Sequence, residues 1–141
     1  MLMHNEQMYT LIDGFADQLK DAISIGQNAA LKSSDRTISS VVITGLGGSG
    51  IGGKVVSQLV SKEAKVPFSL YNNYELPAHV GPNTLVIASS YSGNTEETLG
   101  ALEDALNKGA EVACITSGGR VLEICQEKGL NHIVIPGGNP P

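Results

Sequence analysis

Apolar residues along this chain come in two rhythms. Between about residues 5 and 28, Met8, Leu11, Ile12, Phe15, Leu19, Ala22 and Ile23 recur every three or four positions, the spacing of one helical face. From residue 40 the rhythm changes. Ser40-Val41-Val42-Ile43, Val66 to Tyr71, Leu85-Val86-Ile87-Ala88, Val112-Ala113-Cys114-Ile115 and Ile133-Val134-Ile135 are short apolar runs, most of them rich in β-branched residues. They predict five buried strands. Between them the helical period returns, over about 50–61, 95–108 and 120–128. Leu99, Leu102 and Leu106 share a face of the second, which Gly109 ends, and Gly129 closes the third.

Buried strands alternating with helices predict an α/β fold, a three-layer, doubly wound, flavodoxin-like sandwich on a five-stranded parallel sheet. Ligands of such sheets sit beyond the carboxyl ends of the strands. The loops there are 44–49, 72–82, 89–94, 116–119 and 136–141. Residues 1–35 are expected to form a helical segment packing on a domain over 36–135. No helix follows the fifth strand, so PGGNPP over 136–141 reads as a linker toward a second domain.

Composition narrows the possibilities. Hydrophobic residues make up 41% of the chain and aromatics 4%, so the core rests on aliphatic side chains. The net charge is -5, with nine Lys and Arg scattered along the 141 residues; this argues against a nucleic-acid partner. The N-terminus lacks a basic start followed by an apolar block, and no run approaches the roughly 18 apolar residues of a membrane span. A cytoplasmic protein is expected. Cys114 and Cys125 have no metal-site spacing and are expected to be buried, reduced thiols.

The candidate chemistry lies in the glycines of ITGLGGSGIGGK, residues 43–54. A triphosphate loop needs Ser or Thr after its Lys to hold Mg²⁺, and Val55 follows Lys54. A dinucleotide fingerprint at Gly45, Gly47 and Gly50 needs an acid about 20 residues on, and Tyr71-Asn72-Asn73 offers none before Glu75. A loop that brings a serine hydroxyl to a phosphate is the third reading. Ser89-Ser90-Tyr91-Ser92-Gly93-Asn94-Thr95-Glu96-Glu97 favours it. That run leaves a strand and opens a helix, whose first N–H groups and dipole attract an anion. Helix capping by Asn94 or Thr95 accounts for one hydroxyl, not for three plus a glycine. Thr116-Ser117-Gly118-Gly119 adds a third Ser/Gly turn on the same edge.

Together, GGSG at 47–50, SYSGNT at 90–95 and TSGG at 116–119 resemble the sugar isomerase (SIS) domain. NNYELPAHVGPNTLVIASSYSGNTEET at 72–98 and the closing VIPGGNPP are similar to its bifunctional phosphoglucose/phosphomannose isomerase branch. The resemblance implies that Gly48, Ser49, Ser90, Ser92 and Thr95 hold the 6-phosphate of a sugar. It implies an aldose–ketose interconversion through an enediol, linking glucose or mannose 6-phosphate to fructose 6-phosphate, with no metal and no redox cofactor. It also implies two SIS domains per chain and a homodimer.

The family's glutamate base and its ring-opening histidine come from the second half, and an Arg follows the proline-rich linker; none of these lies within the 141 residues. Glu75 and His79, in the loop after the second strand, are the candidates this stretch offers. Glu96 and Glu97 are explained by the helix dipole, and His132 precedes the last strand at its wrong end. A non-catalytic SIS module that senses a sugar phosphate, and a different SIS-family sugar-phosphate isomerase, stay open as alternatives.

Overall fold

The computed structural model describes residues 2–139, with side chains from Glu6 onward. It divides into two compact units, Met1–Ala30 and Leu31–Pro141. The first holds α1 (Leu2–Asp13) and α2 (Phe15–Gln27), where periodicity alone predicts one helix. Gly14 separates them as the N-cap of α2. A mid-helix glycine costs roughly 1 kcal/mol relative to alanine, so the apolar stripe continues where the helix breaks.

The second unit runs β1 (Ser40–Thr44), α3 (Gly47–Leu59), β2 (Phe68–Tyr71), β3 (Thr84–Ser90), α4 (Glu96–Asn107), β4 (Glu111–Thr116), α5 (Gly119–Lys128) and β5 (Asn131–Val134). All five strands are parallel, in the order β2-β1-β3-β4-β5. This is the doubly wound, flavodoxin-like order expected. The direction of winding reverses between β1 and β3, so the loops leaving those two strands flank the crevice where such sheets bind ligands.

Strand register aligns Val42 with Val86 and Val86 with Val112, and aligns Ala88 with Cys114. These side chains form one apolar layer with Ala101, Leu102 and Ala105 of α4 and Val121 and Cys125 of α5. Side chains alternate across a strand, so Ile43 faces the other way, where α3 packs. A Cβ on Gly53 of α3 would sit 2.7 Å from Ile43 Cγ2 and 3.2 Å from Leu70 Cδ2. The helix can lie this close to the sheet only because Gly53 has no side chain.

The connection from β2 to β3 contains no helix, yet it is firmly anchored. Leu76 and Val80 are buried in the core. The Leu76 N–H donates to Asp104 Oδ2 at 2.7 Å, and Lys108 Nζ donates to Leu76 O at 2.7 Å and to Asp104 Oδ2 at 2.6 Å. The Lys108 partner first, and the Leu76 N–H as well, hold the Asp104 carboxyl below the ordinary aspartate pKa, against the opposing effect of its partial burial. Both cysteines are free and buried. Contact with Cys125 first, and burial second, push the Cys114 thiol well above its ordinary pKa.

Candidate functional site

β1 ends at Thr44 and α3 opens at Gly47, so the glycine loop is itself the first turn of a helix; the sequence pattern starts that helix three residues later. Two of the three fingerprint glycines, Gly45 and Gly50, serve packing, and Gly47 takes a φ of +56°. A Cβ on Gly45 would meet Ser89 O at 2.7 Å, and one on Gly50 would meet Gly45 O at 2.6 Å. Gly48 is different: it is exposed, and a Cβ there would meet nothing within 4 Å. The N-cap of α3 is Leu46, which makes no side-chain cap. The first N–H groups of the helix therefore lack a side-chain acceptor at an edge open to solvent.

The second loop sits beside the first. The Tyr91 N–H donates to Ser49 Oγ at 3.2 Å, which leaves the Ser49 O–H to donate elsewhere. Ser90 is buried at the floor of the loop, with its Oγ accepting from the Gly93 N–H at 3.1 Å and lying 3.0 Å from Thr95 Oγ1. Ser92 is exposed, and its Oγ accepts the Asn94 N–H at 3.2 Å. Thr95 is the N-cap of α4 but makes no side-chain cap bond. Its hydroxyl turns to Ser90 instead, so α4, like α3, begins with amides that no side chain covers.

The third loop has another role. Asn94 Oδ1 accepts the Arg120 N–H at 3.0 Å, and Gly93 O accepts the Val121 N–H at 2.9 Å. The start of α5 is thus filled by the SYSGNT loop and is not open to a ligand. Ser117 donates its hydroxyl to Tyr91 O at 2.6 Å. The two loops touch so closely that Gly93, at φ +71°, could carry a Cβ only by colliding with the Gly118 carbonyl. TSGG braces the SYSGNT loop. This brace joins residues 26 positions apart, which local sequence reasoning misses. It likewise misses Asn72, whose amide nitrogen, turned toward the backbone, donates to Gly45 O at 2.8 Å and Tyr71 O at 3.1 Å.

The structure therefore brings Ser49, Ser90 and Thr95 into one hydrogen-bonded neighbourhood, with Gly48 and Ser92 exposed at its margin. Glu75 and His79 stand between β2 and β3. Both are exposed on the anchored connection. His79 packs its ring edge-on against Tyr71, centroids 6.5 Å apart. Among the described residues, neither makes a hydrogen bond to the Ser/Thr hydroxyls of the loops. Tyr74, next to Glu75, does reach the start of α4, its hydroxyl donating to Glu96 Oε2 at 3.4 Å. Lost hydration first, then the charges of Glu97 and Glu96, raise the Tyr74 pKa and keep it a donor.

His132, the second residue of β5 and not a residue before it, donates from Nδ1 to Leu130 O at 2.8 Å, at the strand end opposite the loops. A groove of about 410 Å³ between Ser57 and Phe68 lies at the opposite edge, before β2. No group of three or more His, Cys, Asp or Glu suited to a metal occurs among the described residues, and none of their helices is long and apolar enough to cross a membrane.

Two uncapped helix starts flanked by hydroxyls can receive an anion with several acceptor oxygens, without a cationic side chain. Comparison with known proteins shows the family. The family model described as SIS domain matches residues 36–136. The chain is 45% identical over 134 residues to a bifunctional phosphoglucose/phosphomannose isomerase of Caldicellulosiruptor bescii, covering 95% of this chain and 40% of that protein. It is 50% identical over 105 residues to the protein of the same name from Thermoplasma acidophilum, covering 74% of this chain and 32% of that one. A Bacillus subtilis crystal structure, provisionally described as a phosphosugar isomerase, superposes with a TM-score of 0.63 at 26% identity. That match covers 83% of this chain and 35% of that one. The chain thus spans two fifths or less of the curated relatives it matches.

Proposed function

This chain belongs to the SIS domain family, and on that premise we propose that it binds the 6-phosphate of a sugar at the crevice between β1 and β3. Its parent activity would be the interconversion of glucose or mannose 6-phosphate with fructose 6-phosphate. The observation that carries this reading is the pair of helix starts, α3 and α4, that no side chain caps, linked through Ser49 and Tyr91. The amide of Gly48 and the hydroxyls of Ser49, Ser92 and Thr95 would donate to the phosphate, with the Ser90 hydroxyl behind them sharing its proton with Thr95 or the ligand. Each hydrogen bond to a charged oxygen contributes about 1.5–3 kcal/mol, and each helix start about 0.3–1 kcal/mol.

Proton transfer between C1 and C2 needs a base within about 3 Å, directly or through one water. Glu75 and His79 are the candidates this chain carries, and both stand on the connection outside the hydroxyl cluster. We assign the base of the whole enzyme to a second SIS domain, and this chain to phosphate binding. The whole protein would act as a cytoplasmic homodimer, with no metal and no redox cofactor.

Calorimetric titration of the chain with glucose 6-phosphate, mannose 6-phosphate, fructose 6-phosphate, unphosphorylated glucose, NAD and Mg-ATP tests the reading. Binding of the sugar phosphates alone, weakened at least tenfold by Ser90→Ala combined with Ser92→Ala, is expected. Equal binding of glucose would remove the phosphate from the account. Binding of NAD alone would return Gly45, Gly47 and Gly50 to the dinucleotide fingerprint.

A further inference from the structure

Tyr91 stands between two serines of the loop, yet its own contacts point elsewhere. Its N–H donates to Ser49 Oγ after β1 at 3.2 Å. Its carbonyl accepts both the hydroxyl of Ser117 at 2.6 Å and the Ser117 N–H at 3.1 Å, after β4. Its phenol oxygen accepts the Asn139 N–H at 2.9 Å, after β5. One residue thus joins three other loops of the ligand edge. The segment beyond β5 is otherwise guided by the Ile135 N–H, which donates to Thr116 O at 2.9 Å, and by the passage of Gly137 beside Ser117. At Asn139, among the described residues, the tie is the Tyr91 hydroxyl.

We propose that Tyr91 is a positioning residue that couples anion binding between β1 and β3 to the placement of the segment ending at Asn139, beyond Ile135. The proposal rests on the phosphate reading above. An anion held by the starts of α3 and α4 fixes Ser49 against the 90–95 loop. Tyr91 is bonded to Ser49 and belongs to that loop, so its ring is fixed with them, and its hydroxyl in turn fixes Asn139. Linkage makes the effect reciprocal: whatever factor the anion adds to the order of the segment, the ordered segment adds to the affinity for the anion.

Amide hydrogen exchange of the whole chain, read by NMR with and without fructose 6-phosphate, tests this in wild type and Tyr91→Phe, a variant that loses only the hydroxyl. Without ligand, the Asn139 amide is expected to exchange about two- to tenfold faster in the variant, the worth of one hydrogen bond, while Ile135 is unchanged. Fructose 6-phosphate is expected to slow Asn139 exchange in wild type and not in the variant. Identical Asn139 exchange in the two proteins, or equal slowing by ligand in both, would overturn the coupling alone. No response to ligand at any amide would refute the phosphate reading, and the coupling with it.

Discussion

Replacing Gly93 with alanine loads the contact that holds the ligand edge together. The position has φ +71°, which costs an L-residue roughly 1–2 kcal/mol. The new Cβ would also fall on the Gly118 carbonyl oxygen, with Gly118 C at 2.7 Å and Thr116 Oγ1 at 2.9 Å. These are backbone atoms and a buried side chain, so the two loops must part. Parting them strains four hydrogen bonds, from Ser117 Oγ and the Ser117 N–H to Tyr91 O, from the Arg120 N–H to Asn94 Oδ1 and from the Val121 N–H to Gly93 O. At about 0.5–1.5 kcal/mol each, the total with the backbone term reaches about 3–8 kcal/mol, a large share of the roughly 5–15 kcal/mol that keeps a domain folded. Differential scanning calorimetry should show Gly93→Ala melting at least about 6 °C below wild type, at roughly 2–4 °C or more per kcal/mol. Gly81→Ala, where a Cβ meets nothing within 4 Å, is the control and should melt close to wild type. If Gly93→Ala also melted within about 2 °C of wild type, the SYSGNT and TSGG loops would not be braced as described.

Neighbouring glycines of α3 should behave oppositely. Gly52→Ala, into open space, should stabilise by about 0.5–1 kcal/mol through helix propensity, whereas Gly53→Ala should destabilise by pushing Ile43 aside, both read from urea midpoints. Asp104 has a lowered folded pKa, so its contribution is full above the ordinary aspartate value of about 3.9 and is lost as pH falls through the depressed folded value. The deficit of Asp104→Asn against wild type, about 1 kcal/mol for so accessible a pair, should therefore shrink between pH 6 and pH 3; a deficit that grows on acidification would reverse the sign. Cys114 and Cys125 should resist a thiol reagent in the native protein and react on unfolding, and rapid native labelling would contradict their burial.

Much of the fold was legible because its signals are local. The β-branched runs predict β1 and β3, and the three leucines at helical spacing predict α4. Glycines at 109 and 129 mark where helices stop. The errors share a cause as well. Gly47 and Gly48 look like loop residues, yet they open α3, because a helix start that leaves its amides uncapped tolerates glycine. The phosphate-loop candidates at Ser49, Ser90 and Thr95 were readable as hydroxyls after strands. What they bond to was not: the partnership of Asn94 with Arg120, of Tyr91 with Asn139 and of Asn72 with Gly45 depends on strand order, which brings distant loops to one edge. Glu75 and His79 are on the right edge by topology, and no local signal told that Leu76, Val80 and Asp104 would anchor the loop that carries them.

The claim that two uncapped helix starts form the phosphate site is tested most directly by following backbone amide chemical shifts while glucose 6-phosphate is added. The account predicts that the largest, saturable shifts fall on the first-turn amides of α3, residues 47–49, and of α4, residues 96–98. Shifts centred on residues 72–79 or on the groove between Ser57 and Phe68, with those helix starts silent, would contradict it.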